Sequence, residues 1–188
     1  MNKTKLVNCF LSGRRKSISK YENQTEELQS KVLQKLIRQA IHTEWGQTHG
    51  FAQVNDYNSF TKTSPINTYE ELKGYIDRMR RGEKDVLWSG KVRWYAKSSG
   101  TTNDKSKFIP VSKECLQDTH YRGGTDAVAL YLGQNPRSRM FDGKALILGG
   151  SHSPNYNLPH SLVGDLSAIL IENVSPFVNH FRIPSKEI

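Results

Sequence analysis

This sequence predicts a mixed α/β fold, and three observations carry that expectation. Helical periodicities precede and separate a few short extended runs. One extended run opens directly into a loop of small hydroxylated residues and glycine. A later run, residues 145–148, is apolar at every position and ends in a glycine pair, which reads as a fully buried strand.

The first convincing element is a helix over residues 25–43. Leu28, Val32, Leu33, Leu36, Ile37, Ala40 and Ile41 recur at helical spacing, while Glu26, Glu27, Lys31, Lys35 and Arg38 take the wet face. Acidic residues open it and basic ones follow, as the helix dipole favours, and Gly46 is placed to stop it. Residues 55–67, rich in Asn, Ser and Thr, read as a loop. Thr68 and Glu71 then have capping-box spacing, Leu72, Tyr75, Ile76 and Met79 form a buried stripe, and Gly82 lies just past the end. The basic cluster Arg78, Arg80, Arg81 in the last turn reads as dipole compensation on a solvated face.

Residues 92–96 read as a strand and 107–111 as a second, with Pro110 confining it to an edge. Ser112 can cap a third helix through Leu116, Tyr121, Val128, Leu130 and Leu132, weakened by Gly123-Gly124 and ended by Asn135-Pro136. Residues 158–173 are expected to be partly helical, and 176–188 show no clear period. Three strand candidates are few for 188 residues, so the sheet is expected to be incomplete in this chain, which is expected to break off before its fold closes.

A net charge of +9 and a pI near 9.6 admit a nucleic acid, an acidic membrane face or a polyanionic small molecule as partner. Composition leaves that choice open. No helix-turn-helix, RNP or zinc-finger signature occurs, so no nucleic-acid partner is expected. No apolar run approaches the roughly 18 residues a membrane span needs, and the basic start lacks a secretory apolar stretch. A soluble, cytoplasmic chain without a membrane partner is the expectation. Cys9 and Cys115 stand far apart without zinc or disulfide spacing. His120, His152, His160 and His180 share no ligand pattern, so no metal site is expected among them, and Ser153 and Ser161 lack a nucleophile-elbow context. The end of the 145–148 run, through Gly149, Gly150, Ser151 and His152, could line a ligand pocket. It reads better as a tight turn needing positive φ, with His152 on the surface.

The segment that carries chemistry is 98–110. Ser98, Ser99, Thr101 and Thr102 flank Gly100, and Lys107 follows within a short loop. Hydroxyls and backbone N–H groups donate to phosphate oxygens, glycine permits close backbone approach, and lysine adds a compact positive charge. The order is not a Walker A loop, because Lys107 leads into an extended run rather than a helix. It resembles instead the S-S-G-T-[ST]-x-G-x-x-K loop of acyl-adenylate-forming enzymes. With the exit Phe108-Ile109-Pro110, the turn Thr43-Glu44-Trp45-Gly46, Gly50-Phe51, and Pro65 before Thr68-Tyr69-Glu70-Glu71-Leu72, the chain resembles the auxin-responsive Gretchen-Hagen-three family of acyl acid–amido synthetases, specifically its bacterial members.

The resemblance covers essentially the whole chain but only the start of that family's longer architecture. It implies the N-terminal part of an adenylate-forming large domain, with a helical lead-in over about 1–85 and a phosphate-loop α/β part over about 86–188, the C-terminal remainder being absent. It implies activation of a carboxylic acid with ATP and magnesium, then acyl transfer to an amine such as an amino acid. Ser98, Ser99, Gly100, Thr101, Thr102 and Lys107 would bind the ATP phosphates, and no catalytic residue is assigned. The family's usual second glycine falls here on Asp104, which sets a negative charge in the loop beside Lys105 and Lys107. The alternative expectation is a non-catalytic truncated product that binds polyanions or partners weakly and self-associates through uncovered edges.

Overall fold

The computed structural model describes residues 3–98 and 106–185, and the fold is mixed α/β. Two compact units emerge, each assembled from separated stretches of chain. One comprises 1–23, 113–151 and 167–188, and the other 24–112 and 152–166.

The second unit holds the larger core. It begins with α3 (Thr25–Ala40), which follows α1 (Lys3–Phe10) and α2 (Ser12–Ile18) of the other unit. The helix ends at Ala40 rather than running to 43, because Thr43 starts a new one, α4 (Glu44–Thr48). The buried Thr43 hydroxyl donates to the Ala40 carbonyl (2.7 Å) and accepts from the Gly46 N–H (3.0 Å), closing one helix and capping the next. Gly46 is therefore not a stop signal. A Cβ there would lie 2.0 Å from the Ala40 carbonyl oxygen, so only glycine lets α4 pack this closely.

The 55–67 stretch is not all loop. It contains α5 (Tyr57–Thr63), capped because the Asp56 carboxylate accepts from the Ser59 N–H (2.7 Å) while the Ser59 hydroxyl accepts from the Asp56 N–H (3.0 Å). Next, α6 (Tyr69–Arg80) has the expected Thr68–Glu71 capping box, buries Ile76 and Met79, and ends before Gly82 at φ +94°.

β1 (Trp94–Lys97) is the middle of a three-stranded sheet. It pairs antiparallel with β2 (Phe108–Val111), setting Trp94 opposite Val111 and Lys97 opposite Phe108. It pairs parallel with β4 (Leu162–Gly164), setting Tyr95 opposite Val163. The order β2-β1-β4 puts Pro110 on an edge strand, where its missing N–H costs no ladder bond. Tyr95 is fully buried among Ile76, Met79, Val86, Val92 and Val163, and burial pushes its phenol up to about 12.

In the other unit, α2 lies against α7 (Arg122–Gln134), which is preceded by a π-helical turn, Cys115–Tyr121. Arg14 binds both oxygens of Asp126 (2.5 and 2.7 Å), and Arg15 lies beneath Gly133, where a Cβ would come 2.7 Å from its Cδ. Ala129 and Leu132 are fully buried there. The 145–148 run forms only β3 (Ala145–Leu146), paired parallel with β5 (Arg182–Ile183), and it is not buried: Leu146 is 69% and Leu148 80% exposed. A two-residue strand with one two-residue neighbour has no layer to cover it among the described residues. α8 (Leu166–Glu172) bears out the partly helical 158–173 stretch. α9 (Pro176–His180), capped by Ser175, and β5 occupy the tail in which no period was visible.

Candidate phosphate-loop site

β1 delivers the chain to Ser98, and β2 takes it back from Lys107. At the root of this hairpin the Ser98 N–H donates to the Lys107 carbonyl (2.9 Å), and the Lys107 N–H donates to the Ser98 hydroxyl oxygen (3.1 Å). The two ends of the loop are thus tied by two hydrogen bonds, one of them spending a hydroxyl of the hydroxyl-rich run. Ser99, Gly100, Thr101 and Thr102, together with Asp104 and Lys105, lie outside the described residues. Of the six residues expected to bind phosphate, Ser98 and Lys107 are described, and they are adjacent.

α6 braces the same root. The Tyr69 hydroxyl, in the helix's first turn, accepts from the Phe108 N–H (2.9 Å), and the Lys107 ammonium lies 5.5 Å from the Tyr69 ring centre. From the last turn, the Arg80 guanidinium stacks 3.8 Å over the Phe108 ring and donates to the Tyr156 carbonyl (2.7 Å). Arg80 is only 9% exposed, and its Nε finds no hydrogen-bond partner among the described residues. The Lys97 ammonium sits 4.3 Å from the Tyr156 ring centre, and Tyr156 touches Phe108 ring to ring (5.7 Å). Three cations and three aromatic rings therefore surround one hairpin root.

Their electrostatic surroundings differ from those of six other cations in the chain. Arg14, Lys31, Lys73, Arg78, Arg122 and Arg139 each meet a carboxylate. Among the described residues, Lys97, Arg80 and Lys107 meet none. The aromatic faces hold these charges without neutralising them, and an anion placed at the loop would do so.

The basic cluster at the end of α6 accordingly splits. Arg78 bridges Glu44 (3.0 Å) and Glu83, which keeps both carboxyls below their ordinary range. Arg80 is buried in the hairpin root, which corrects the solvated-face expectation for that residue. Helical spacing carried the signal, since Arg80 stands four residues after Ile76 on the stripe that turns inward. Lys97 had a plainer one: it directly precedes Ser98.

The 144–152 segment departs from expectation in its turn, while His152 is exposed as expected. Gly149 does not adopt positive φ. Its lack of a side chain serves close approach, since a Cβ would meet Ile171 at 2.5 Å. Ile147, with His120, Tyr121, Leu170 and Arg182, lines a cavity of about 230 Å³ within the first unit, and His152 lies against Trp94 in the second. Among the described residues no helix is long and apolar enough to cross a membrane.

Comparison with known proteins gives one consistent family. The profile of the GH3 family N-terminal domain matches residues 14–181. A jasmonoyl–L-amino acid synthetase, JAR6 of Nicotiana attenuata, is 32% identical over 108 residues, which are 55% of this chain and 19% of that protein. The indole-3-acetic acid-amido synthetase GH3.15 of Arabidopsis thaliana is 32% identical over 93 residues, 49% of this chain and 16% of that one. A solved structure described as GH3.15 acyl acid amido synthetase superposes with a TM-score of 0.64 at 23% identity. It covers 84% of this chain and 28% of that chain, and it shares the fold. The matched residues of this chain cover less than a fifth of the length of those two relatives. With 14–181 matched, the chain belongs to the GH3 family and carries its N-terminal domain.

Proposed function

We propose that this chain is the phosphate-binding N-terminal segment of an ATP-dependent acyl acid–amido synthetase-like ligase, one that adenylates a carboxylic acid and passes the acyl group to an amine such as an amino acid. The observation that carries this proposal is the hairpin root. It ties Ser98 to Lys107 and gathers positive charge that no carboxylate among the described residues offsets. A triphosphate fits that charge.

Ser98, Ser99, Gly100, Thr101, Thr102 and Lys107 are the residues that would hold its phosphates, through hydroxyl and backbone N–H donors and one ammonium. Stabilising negative charge on the departing pyrophosphate while a carboxylate attacks the α-phosphorus is electrostatic positioning, and needs no protein nucleophile. Magnesium would arrive with the triphosphate and share that charge, and no residue of this segment is assigned to it. The substrates are thus a carboxylic acid and an amine or amino acid, in keeping with the names of the relatives above. Those relatives are plant proteins, and placing this chain in the bacterial branch rests on the sequence resemblance.

Residues of about 1–85 serve as the helical lead-in and about 86–188 as the phosphate-loop part. Two cysteines without disulfide spacing and a need for ATP suit a reducing compartment, the cytoplasm. Because the chain spans so little of its relatives' length, it binds without turning over by itself. Calorimetry tests this. ATP is expected to bind the 188-residue chain saturably, Lys107→Ala is expected to weaken binding about tenfold, and no carboxylate-dependent ATP–pyrophosphate exchange is expected. Unchanged affinity in Lys107→Ala, or heparin binding as tightly as ATP, would favour the alternative of a weak polyanion binder instead.

A further inference from the structure

We infer that the cavity of the first unit binds a small apolar carboxylate, held by the buried Arg182 as a resident ligand and not as a reactant. The lining residues all belong to that unit, and the site is independent of the hairpin loop, which belongs to the other.

β5 sets a charge where an apolar side chain would be expected. Successive strand residues face opposite sides, and here Arg182 is 4% exposed while its neighbour Ile183 is 48% exposed. Burying a cation is costly unless an opposite charge or a full set of acceptors accompanies it. Arg182 has little of either. Its Nε donates to the Asn179 side-chain oxygen (2.7 Å), and among the described residues the guanidinium meets no other acceptor and no carboxylate.

Arg182 lines a cavity of about 230 Å³, together with Ile147, Leu170 of α8, Val178 of α9, and His120 and Tyr121 of the π-helical turn. The Tyr121 hydroxyl is already spent on the Leu170 carbonyl (2.8 Å). A ligand that suits both parts of this wall has a planar two-oxygen anion for the guanidinium and an apolar tail for the aliphatic side chains. A cavity of about 150 Å³ takes benzene, so this one takes about nine non-hydrogen atoms, the size of hexanoate. Both oxygens of a carboxylate paired in this way are engaged, which leaves it a poor nucleophile. The occupant is therefore held, and it ties the 113–151 stretch to the 167–188 stretch.

The test is calorimetric titration of the full chain with hexanoate, hexanamide and acetate, for the wild type, Arg182→Gln, Val178→Trp and the exposed control Arg139→Gln. The wild type is expected to bind hexanoate saturably. Hexanamide should bind about tenfold more weakly for want of the charge, and acetate about a hundredfold more weakly for want of the tail. Arg182→Gln is expected to cost hexanoate about tenfold and to leave hexanamide unchanged. Val178→Trp fills the cavity, keeps Arg182 and should weaken both ligands about tenfold; it decides the matter if thermal melting shows Arg182→Gln unfolded. Saturating ATP is expected to change hexanoate affinity less than about twofold, and a marked tightening would make hexanoate the reacting acid and overturn its resident role. No saturable hexanoate binding, hexanamide binding as tightly, or an equal loss in Arg139→Gln would overturn the site. None of these outcomes bears on the ATP titration by which the hairpin loop is judged.

Discussion

A methyl group at position 46 has nowhere to go. The Ala40 carbonyl oxygen stands 2.0 Å from where it would sit, and that carbonyl is already engaged by the Thr43 hydroxyl. Gly46→Ala is therefore expected to destabilise the chain by roughly 3 kcal/mol in urea titration, because backbone rather than a pliable side chain must move. Gly74, exposed on α6 with nothing within 4 Å, should show the opposite sign. Gly74→Ala is expected to gain about 0.5–1 kcal/mol from helix propensity alone. Equal effects from both would mean that the α3–α4 junction is looser than described. Residue identity told less than residue context here: both glycines lie inside helices, and the reason for Gly46 became visible only once Thr43 had closed one helix and opened another.

At the scale of elements, α2 and α7 are joined by the two-pronged contact of Arg14 with Asp126, whose side chains are 20% exposed. The Arg14 guanidinium holds the Asp126 carboxyl below the usual carboxylate range. A depressed folded pKa means this contribution is whole above the unfolded value of about 3.9 and is lost as pH falls through the folded one. Asp126→Asn is thus expected to lower stability by roughly 1–2 kcal/mol at pH 7. The difference from wild type should shrink from about pH 4 downward, as followed by thermal melting across pH. A gap that stays constant with pH would place the effect in packing rather than charge. Elements with local punctuation could be read in advance: the Thr68–Glu71 box, Gly82 beyond α6, and Pro110 on an edge strand. Elements whose reason lies elsewhere in the chain could not. β4 is three residues long and exists because β1, more than sixty residues earlier, offers a free side. α5 hid because its cap uses Asp56 with Ser59 rather than the usual glutamate or glutamine. The apolar 145–148 run signalled a demand for burial that the described residues do not meet.

At the scale of the whole molecule, the sheet that carries the loop is built from distant stretches, with Val163 of β4 in the same core as Ile76, Met79 and Tyr95. Val163→Ala is expected to lose roughly 2 kcal/mol in urea unfolding, whereas Val32→Ala, at a site 56% exposed on α3, should lose well under 1. Similar values for the two would separate β4 from the core. The candidate site was legible in its linear part, where Ser98 through Lys107 stand together in sequence. Its supports Tyr69, Arg80 and Tyr156 were not, because folding brings them to the root from other elements. The loop's task can be read at its two described ends by following backbone amide shifts in a ¹⁵N NMR titration with ATP. Saturable shifts at Ser98, Lys107 and Phe108, with the core amides of Ile76 and Val163 unmoved, are the predicted result. Shifts confined to other parts of the chain, or none at millimolar ATP, would contradict a triphosphate at this hairpin.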